Sequence, residues 1–387
     1  MPVKYSAEKI FDGYQFHDNN MVLITGADGV IMDLIDKNEA GDDIQEFKGI
    51  ICPGFINCHC HLELSHMKGL IPQQTGLVKF VTDVVQLRHF PEEKILAAIE
   101  KGEDEMLENG IVAVGDICNN TFTIPQKTKG RIYYHNFIEA SGFDPSIARS
   151  RFERSLAFYQ EYAKLYSTPI RSNSIVPHAP YSVSGELWEL IIHFPGNHLM
   201  TIHNQESPGE DEWFETMTGP FSDLYKNLDI DFSHFNPVGK KSLQSYLHRF
   251  LDHQRVILVH NVHTTEADLL HSKSPIVNCK LSWCLCPNAN KYIGGQLPDV
   301  DLLIKHDCEI VLGTDSLASN TQLSILEEIK TLQNSFPHIP LESLLRWATS
   351  NGASAMERDD LLGSFEKGKK PGVLLLDGNL ENARRLV

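Results

Sequence analysis

Two histidines, His59 and His61, stand two residues apart at the end of the apolar segment GFINCHCH. Side chains two positions apart on a β-strand point to the same face, so both imidazoles would project to one side. The PGFIN residues before them, beginning at Pro53, place the pair at the end of a buried strand. An isolated pair of this kind is also compatible with ordinary surface or core histidines. The spacing therefore predicts a cation site, provided that other ligands converge on it.

Further side chains that can bind a metal follow other apolar segments. His203 and then Glu206 follow LMTI, His260 follows VILV, and Asp315 comes after EIVLG and a threonine. Each alone is more often structural, but together they recur at the C-terminal ends of predicted strands, where a parallel α/β barrel carries its chemistry. Burying the carboxylate of Asp315 would be costly without a cation or a donor. Histidines with one carboxylate suit Zn²⁺ or Fe²⁺ better than Mg²⁺ or Ca²⁺, which prefer oxygen ligands.

The eight cysteines are too sparse for a disulfide scaffold in a chain of 387 residues. Cys58 and Cys60 flank His59, and Cys284 and Cys286 form a second close pair. Neither arrangement has the CxxC spacing that is typical of structural zinc sites. We therefore predict that most of the cysteines are buried thiols.

The elements that must position these residues follow from the pattern between 54 and 316, where short β-branched runs alternate with amphipathic helical stretches. This alternation predicts βα units and a parallel sheet. The length accommodates one barrel of roughly 250 to 320 residues with a small accessory domain, and two comparable domains also fit. Hairpin-like segments in 1–52 and the strand in PGVLLLDGN near the other end can pair in one small β-domain. Eight strand candidates are predicted, at 54–61, 111–117, 131–140, 171–179, 199–207, 255–262, 281–287 and 309–316.

The segment 208–247 is a long insertion after the fifth predicted strand, rich in glycine, aspartate and aromatic residues. A loop in this position of a barrel lies over the active face, so the insertion is either a lid or a helical hairpin that only packs. Its aromatic rings are too numerous for a purely solvated loop, and some are predicted to be buried against the barrel or against substrate. The rings in question are Trp213, Phe214, Phe221 and Phe235.

The charge balance of 34 Lys and Arg against 51 Asp and Glu gives a formal net charge of −17, which disfavours nucleic acid and anionic membranes as partners. No apolar run approaches the ~20 residues that span a bilayer, and MPVKYSAEKIFDGY lacks the apolar core of a signal peptide. We therefore expect a cytoplasmic protein that acts on a small molecule. A homo-oligomer is left open.

Four motifs together resemble the amidohydrolase superfamily. PGFINCHCHLELS resembles its PGfvNaHtHl signature, HAPYSVS its fourth-strand segment, TIHNQES its fifth-strand histidine and acid, and GTDSLASNTQLSILEEI its eighth-strand aspartate. The pattern is most similar to the cytosine-deaminase and chlorohydrolase-like branch, which includes guanine, S-adenosylhomocysteine and aminodeoxyfutalosine deaminases. The chain departs from it by Cys58 and Cys60 where Ala and Thr are commoner, and by QES in place of AET.

The resemblance implies a distorted (β/α)8 TIM barrel over 53–363 and a small β-sandwich domain formed from 1–52 and 364–387. It implies that Glu206 shuttles protons, that His260 lies beside the reacting water or the substrate, and that His178 contacts substrate. We also assign Glu63 and Trp213 to substrate contact. No lysine stands in the fourth strand in the position that bridges two metals, so one ion, Zn²⁺ or Fe²⁺, is expected, with the ligands His59, His61, His203 and Asp315.

The implied activity is hydrolytic deamination of an aminated heterocycle, such as a purine-like base or nucleoside, with aminodeoxyfutalosine among the candidates. A metal-activated water would attack a ring carbon, Asp315 would accept its proton, and ammonia would leave. One alternative is hydrolysis of another C–N or C–Cl bond, of the s-triazine or cyclic amide type, on the same site. The other is a non-catalytic binding protein on the same barrel, which the retained ligands disfavour.

Overall fold

The protein is described by a computed structural model that covers residues 2–165 and 172–387. Its strands are β1 (Val3–Phe11), β2 (Phe16–His17), β3 (Met21–Thr25), β4 (Ile31–Asp36), β5 (Ile44–Pro53), β6 (Phe55–Cys60), β7 (Ile111–Cys118), β8 (Tyr133–Ala140), β9 (Asn173–Pro177), β10 (Leu199–Asn204), β11 (Arg255–His260), β12 (Lys280–Leu285), β13 (Ile310–Leu312), β14 (Val373–Leu376) and β15 (Ala383–Arg385). Its α-helices are α1 (Leu77–Leu87), α2 (Glu92–Glu108), α3 (Ile124–Lys127), α4 (Ala148–Ala163), α5 (Gly185–Ile192), α6 (Pro208–Thr216), α7 (Phe221–Asn227), α8 (Ser242–Tyr246), α9 (Glu266–Ser272), α10 (Pro287–Ile293), α11 (Val300–Lys305), α12 (Ile325–Ser335), α13 (Leu341–Ala348) and α14 (Ser350–Ala355). Short 3₁₀ helices cover Leu62–Met67, Pro145–Ile147, Pro180–Ser182 and Leu247–Arg249. Within these described ranges, no helix is both long enough and apolar enough to cross a membrane.

Eight parallel strands, β6 to β13, form the barrel in two four-stranded sheets of order β6-β7-β8-β9 and β10-β11-β12-β13. The strands are apolar and buried along nearly their whole length, as expected where helices cover one face and the barrel core the other. Backbone hydrogen bonds join the two sheets at their C-terminal ends. The N–H of His203 donates to the carbonyl of His178 at 2.9 Å, and those of Thr314 and Asp315 donate to the carbonyl of His59 at 3.0 and 3.1 Å. The strand ends that carry the predicted site are thus brought together.

Each predicted barrel strand contains an observed strand, and the largest differences are in two strands that end three and four residues earlier than predicted. The strand predicted at 199–207 ends at Asn204, because Gln205 adopts the left-handed conformation with φ 46°. The strand predicted at 309–316 ends at Leu312, before Asp315, whose φ is 56°. A residue in the left-handed conformation cannot continue a strand, so the chain turns at both places. The side chains of the predicted site begin at these two turns. In the strand predicted at 171–179, the first residue lies outside the described residues.

The two chain ends meet in one seven-stranded sheet of order β15-β14-β5-β1-β3-β4, with β2 paired to β1. Strand β14 pairs antiparallel with β5, so Leu374 lies opposite Cys52. A separate apolar cluster lies against this sheet and includes Ile10, Leu23 and Ile51. The predicted pairing of the termini is therefore confirmed, while the boundaries at 52 and 364 stay predictions.

The insertion 208–247 folds into helices α6, α7 and α8. The helix α6 begins with a capping box, in which Ser207 and Glu210 satisfy backbone N–H groups at the helix start. Trp213 is fully buried, and its ring stacks on Phe235 with centroids 5.3 Å apart. The insertion thus has an aromatic core of its own, as predicted for a segment too apolar to be solvated.

Candidate active site

Four side chains from both sheets of the barrel converge at the C-terminal ends of the strands. The Nε2 atom of His61 lies 3.2 Å from Nε2 of His59 and 3.3 Å from Nε2 of His203. Oδ1 of Asp315 lies 3.5 Å from the Nε2 of His59 and 3.4 Å from that of His61. All four ligand atoms lie within 4.8 Å of one another, and all four residues are buried. The structure therefore brings together the four residues that were predicted to bind a metal.

The donor atoms fit a single cation. The Nδ1–H of His203 donates to the carbonyl of His178 at 2.7 Å, so in the neutral ring the Nε2 of His203 carries a lone pair. The spacing also fits, because a tetrahedral ion with bonds of about 2.0–2.1 Å separates its ligands by about 3.3 Å. Without a cation, nitrogen and oxygen acceptors at this spacing would repel one another. Three imidazoles and one carboxylate in this geometry suit a transition metal such as zinc.

The carboxylate of Asp315 is held by its own loop. The hydroxyl of Ser319 donates to its Oδ2, which leaves Oδ1 directed at the histidines. Burial opposes ionisation of Asp315, but the hydrogen bond from His59 and the charges of the neighbouring histidines outweigh it and hold the pKa well below its usual range. The side chain of Asn57 exchanges hydrogen bonds with Thr314 at 2.8 and 3.1 Å. These hydrogen bonds join the end of the first barrel strand to the turn after the eighth, close in the chain to the ligands His59 and Asp315.

Glu206 follows β10 and is also buried. Its Oε1 has no hydrogen-bond partner within the described part of the chain, and its Oε2 lies 3.6 Å from Nε2 of His260. Burial, and then the charges of Asp315 and Glu210, raise the pKa of Glu206 well above its usual value. The carboxylate of Glu210 accepts the backbone N–H of Glu206 at 2.7 Å and that of Gln205 at 3.1 Å, which fixes the loop. The backbone of Glu206 is thus held in place, and its carboxyl group is one whose raised pKa suits the transfer of protons.

His260 ends β11 with an unfavourable φ of 75°, a conformation that is uncommon outside functional sites. Its Nδ1 lies 2.9 Å from Nδ2 of Asn290, which is on α10. Burial is the largest effect on the ring and lowers the pKa of His260 to about 3. The imidazole is therefore neutral at ordinary pH and carries only one N–H group.

Glu139, at the end of β8, is a site residue that the sequence analysis missed. Its Oε1 lies 2.7 Å from Nδ1 of His178, and its Oε2 accepts a hydrogen bond of 2.7 Å from Asn119. Burial opposes ionisation of Glu139, but the charge and hydrogen bond of His178 outweigh it and lower the pKa to about 2. Burial likewise opposes protonation of His178, yet Glu139 raises its pKa. The pair thus favours the protonated form of His178, whose ring centroid is 4.3 Å from that of His203.

Glu63 lies in the 3₁₀ helix that follows His61 and is only 2% exposed. Its Oε2 accepts the backbone N–H of Asn119 at 2.9 Å. Burial raises the pKa of Glu63 to about 7, so this carboxyl group is able to donate or accept a hydrogen bond.

A cavity of about 430 Å³ opens from these residues and has one apolar side. This volume is ordinary for a small-molecule site. Among the residues that line it are His61, Glu63, Glu139, His178, His203, Glu206, His260 and Asp315. The apolar side comes from α1, including Leu77, Phe80 and Val84, from Leu224 of α7, and from Leu228, which directly follows α7. The insertion therefore contributes α7 to the cavity, whereas Trp213 is not among the lining residues.

Comparison with known proteins decides the family. A sequence model described as Amidohydrolase family matches residues 50–385. The chain belongs to the amidohydrolase family. Among curated relatives of this amidohydrolase, adenosine deaminase of Helicobacter pylori is 27% identical over 336 residues, which cover 85% of this chain and 79% of that protein.

Solved structures agree with the observed fold. Aminofutalosine deaminase of Helicobacter pylori, in complex with methylthio-coformycin, has a TM-score of 0.81 at 23% identity and covers 97% of this chain and 92% of its own. An adenosine deaminase from Xanthomonas campestris with bound zinc has a TM-score of 0.72 at 19% identity, covering 97% and 84%. At these identities the likeness establishes the fold. The predicted distorted (β/α)8 barrel with a small β-domain from both termini is thereby confirmed.

Trp213 was assigned to substrate contact from the sequence, and the structure does not bring it to the cavity. It lies in an aromatic cluster with Phe143, Tyr225 and Phe235, of which Phe143 and Tyr225 line the cavity. The physical reason is its complete burial, since a ring with 0% exposure has no surface left for a ligand. The ring instead supports the helix that does line the cavity.

We therefore expect Trp213→Ala in this amidohydrolase to destabilise the fold by ~3–5 kcal/mol, the usual cost of removing a large buried aromatic side chain. In the protein that remains folded, kcat/KM is expected to stay unchanged. Denaturant unfolding and steady-state kinetics measure the two effects. Val238→Ala, at a position of the same insertion that is 50% exposed, is the control and should change neither. A raised KM for Trp213→Ala at unchanged stability would instead show direct contact with substrate.

Proposed function

We propose that this amidohydrolase is a metal-dependent deaminase that releases ammonia from an aminated heterocycle of the purine base or nucleoside type. The observation that carries the proposal is the buried carboxyl group of Glu206, which faces the same cavity as the cluster of three histidines and Asp315. Deamination needs an activated water and a group that delivers protons to poorly basic nitrogens, and this site offers both. The deaminase names of its relatives support the same reaction.

In the proposed mechanism, His59, His61, His203 and Asp315 hold one zinc or iron ion. That ion, when bound, lowers the pKa of a water molecule toward neutrality. Asp315 accepts a proton from the attacking water. Glu206 protonates the ring nitrogen next to the carbon under attack, and His260 holds the incoming oxygen by its N–H.

The bond changes balance for a hydrolysis. A carbon–oxygen bond forms from water, and the exocyclic carbon–nitrogen bond breaks as the carbonyl of the product forms. The amino group leaves as ammonia after receiving a proton, and the proton of the added hydroxyl returns to Glu206. We propose that the proton accepted by Asp315 is the one delivered to this leaving group. His178, held as a cation by Glu139, and Glu63 are proposed to orient the substrate from the cavity wall.

We also propose that the protein works in the cytoplasm. All eight cysteines are unpaired, and seven of them are buried, which suits a reducing compartment. The segments 1–52 with 364–387, and 53–363, are proposed as its two domains.

The proposal predicts ammonia release from at least one substrate in a panel of aminopurines, their nucleosides, aminodeoxyfutalosine and s-triazines. Zinc-loaded and iron-loaded proteins would be assayed with a coupled ammonia assay, and Asp315→Ala protein would serve as the inactive control. Chloride release from a chloro-s-triazine without ammonia would favour hydrolysis of a carbon–chlorine bond. A metal-loaded protein that binds members of the panel but releases neither product would contradict an enzymatic function.

A further inference from the structure

Asn290, on α10, makes a contact that the proposed mechanism has not used. Its side chain is 2% exposed, and its Nδ2 lies 2.9 Å from Nδ1 of His260, on the side of the ring away from the cavity acceptors. Its backbone is fixed as well, because its N–H donates to the carbonyl of Cys286 at 2.9 Å and its carbonyl accepts the N–H of Gly294 at 3.0 Å. The helix therefore fixes the backbone position from which the side chain of Asn290 reaches His260.

The other ring nitrogen of His260 faces acceptors. Its Nε2 lies 3.6 Å from Oε2 of Glu206, on the side of the cavity. At 3.6 Å the two atoms are too far apart for a hydrogen bond in either direction, so Glu206 does not set the tautomer of His260. A neutral imidazole carries one N–H, and with the amide nitrogen of Asn290 at Nδ1 that hydrogen is on Nε2.

We propose that Asn290 is a positioning residue, whose amide N–H donates to Nδ1 of His260 and so keeps the ring hydrogen on Nε2. In this tautomer, His260 can donate to the oxygen that adds to the substrate. The opposite tautomer would present a bare Nε2, which is an acceptor and cannot hold that oxygen. The role of the tautomer rests on the proposed function, whereas the contact between Asn290 and His260 does not.

Either the nitrogen or the oxygen of the side-chain amide can lie next to Nδ1 of His260, and the two orientations require opposite tautomers of the ring. An N–H at this position requires a bare Nδ1, while an oxygen would require Nδ1–H. Asn290→Asp imposes the second case, because a carboxylate of nearly the same shape offers only acceptors. Asn290→Leu removes the donor without adding an acceptor. The two variants therefore separate loss of a hydrogen bond from reversal of the tautomer.

The first experiment is ¹⁵N NMR of the zinc-loaded wild-type protein, with the His260 signals assigned by their loss in His260→Gln. We expect Nδ1 to be unprotonated and Nε2 to be protonated. In Asn290→Asp, the hydrogen is expected on Nδ1, and kcat is expected to fall by at least ~100-fold, the usual contribution of a group that handles protons. The metal content and KM should change little. In Asn290→Leu, kcat should fall about 10-fold, which is at the lower end of the effect of residues that orient others around a metal.

The matched control is Asn351→Asp on α14, where Nδ2 of Asn351 donates to the carbonyl of Ile310 at 3.0 Å, away from the cavity. It suffers the same chemical change and is expected to lose stability while keeping kcat and the His260 signals. A ring hydrogen on Nδ1 in the wild type would overturn the proposal, even if Asn290→Asp does not fold. Native turnover in Asn290→Asp would overturn it too. Because the wild-type spectrum needs no substrate, failure of the proposed deaminase activity leaves this test intact.

Discussion

Glu206→Gln is expected to keep its bound metal and to lose at least ~100-fold in kcat, because general acid–base groups contribute that much or more. Glutamine has nearly the same shape and can still fill the buried position after β10. It cannot release and recover a proton, however, and burial raises the pKa of the native carboxyl group of Glu206, which favours its protonated form. The loss should appear in kcat and kcat/KM together, with little change in KM.

Turnover would be measured by ammonia release and metal by elemental analysis of the same samples. Glu215→Gln is the matched control, because it makes the same chemical change at an exposed position of α6. That variant should behave as the wild type. Near-normal turnover in Glu206→Gln would mean that Glu206 is only a structural neighbour of His203, and the proton carrier would have to be sought elsewhere in the cavity.

The metal cluster supports the second large effect. We expect one zinc or iron ion per chain in the wild type, and loss of that ion in His61→Ala. Turnover should fall by more than ~1000-fold, because water with its ordinary pKa of about 15.7 supplies very little hydroxide at neutral pH. His61 is the most informative ligand to remove, since its Nε2 lies within 3.4 Å of three other ligand atoms.

Elemental analysis before and after dialysis against a chelator would give the metal count, and re-addition of zinc should restore activity to the wild type alone. His193→Ala removes an exposed histidine of the C-terminal end of α5 and should alter neither metal nor turnover. Two ions per chain, or a full complement of metal in His61→Ala, would contradict the assignment of these ligands.

The metal-binding residues were predictable because they obey one rule, that polar side chains at the C-terminal ends of parallel barrel strands converge. His203 and Asp315 follow apolar runs that are plain in the sequence, and the spacing of His59 and His61 sets their common face. Glu139 obeys the same rule at the end of β8, so the signal for it was present in the segment 131–140. Its partner His178 lies 39 positions away, and no local pattern links the two.

Other features could not be read from the sequence because they depend on contacts between distant segments. Asn290 reaches His260 across 30 residues, and its own surroundings resemble an ordinary helix. Glu210 has the capping-box spacing with Ser207, but nothing local shows that its carboxylate also holds the backbone of Glu206. The place of Trp213 away from the cavity lining could not be read either, because an aromatic residue in an insertion is equally compatible with packing and with ligand contact.

The division of the barrel into two sheets means that a bound metal ion would join its two halves. His59 and His61 come from the first sheet, while His203 and Asp315 belong to the second, so one ion bound by all four is a cross-link between the halves of the molecule. The four ligands converge only in the folded chain, so binding of the ion favours the native state over the unfolded one. We infer that the same four ligands hold the ion for the proposed reaction and also join the two sheets of the barrel. Selection on catalysis and selection on stability then act on the same residues.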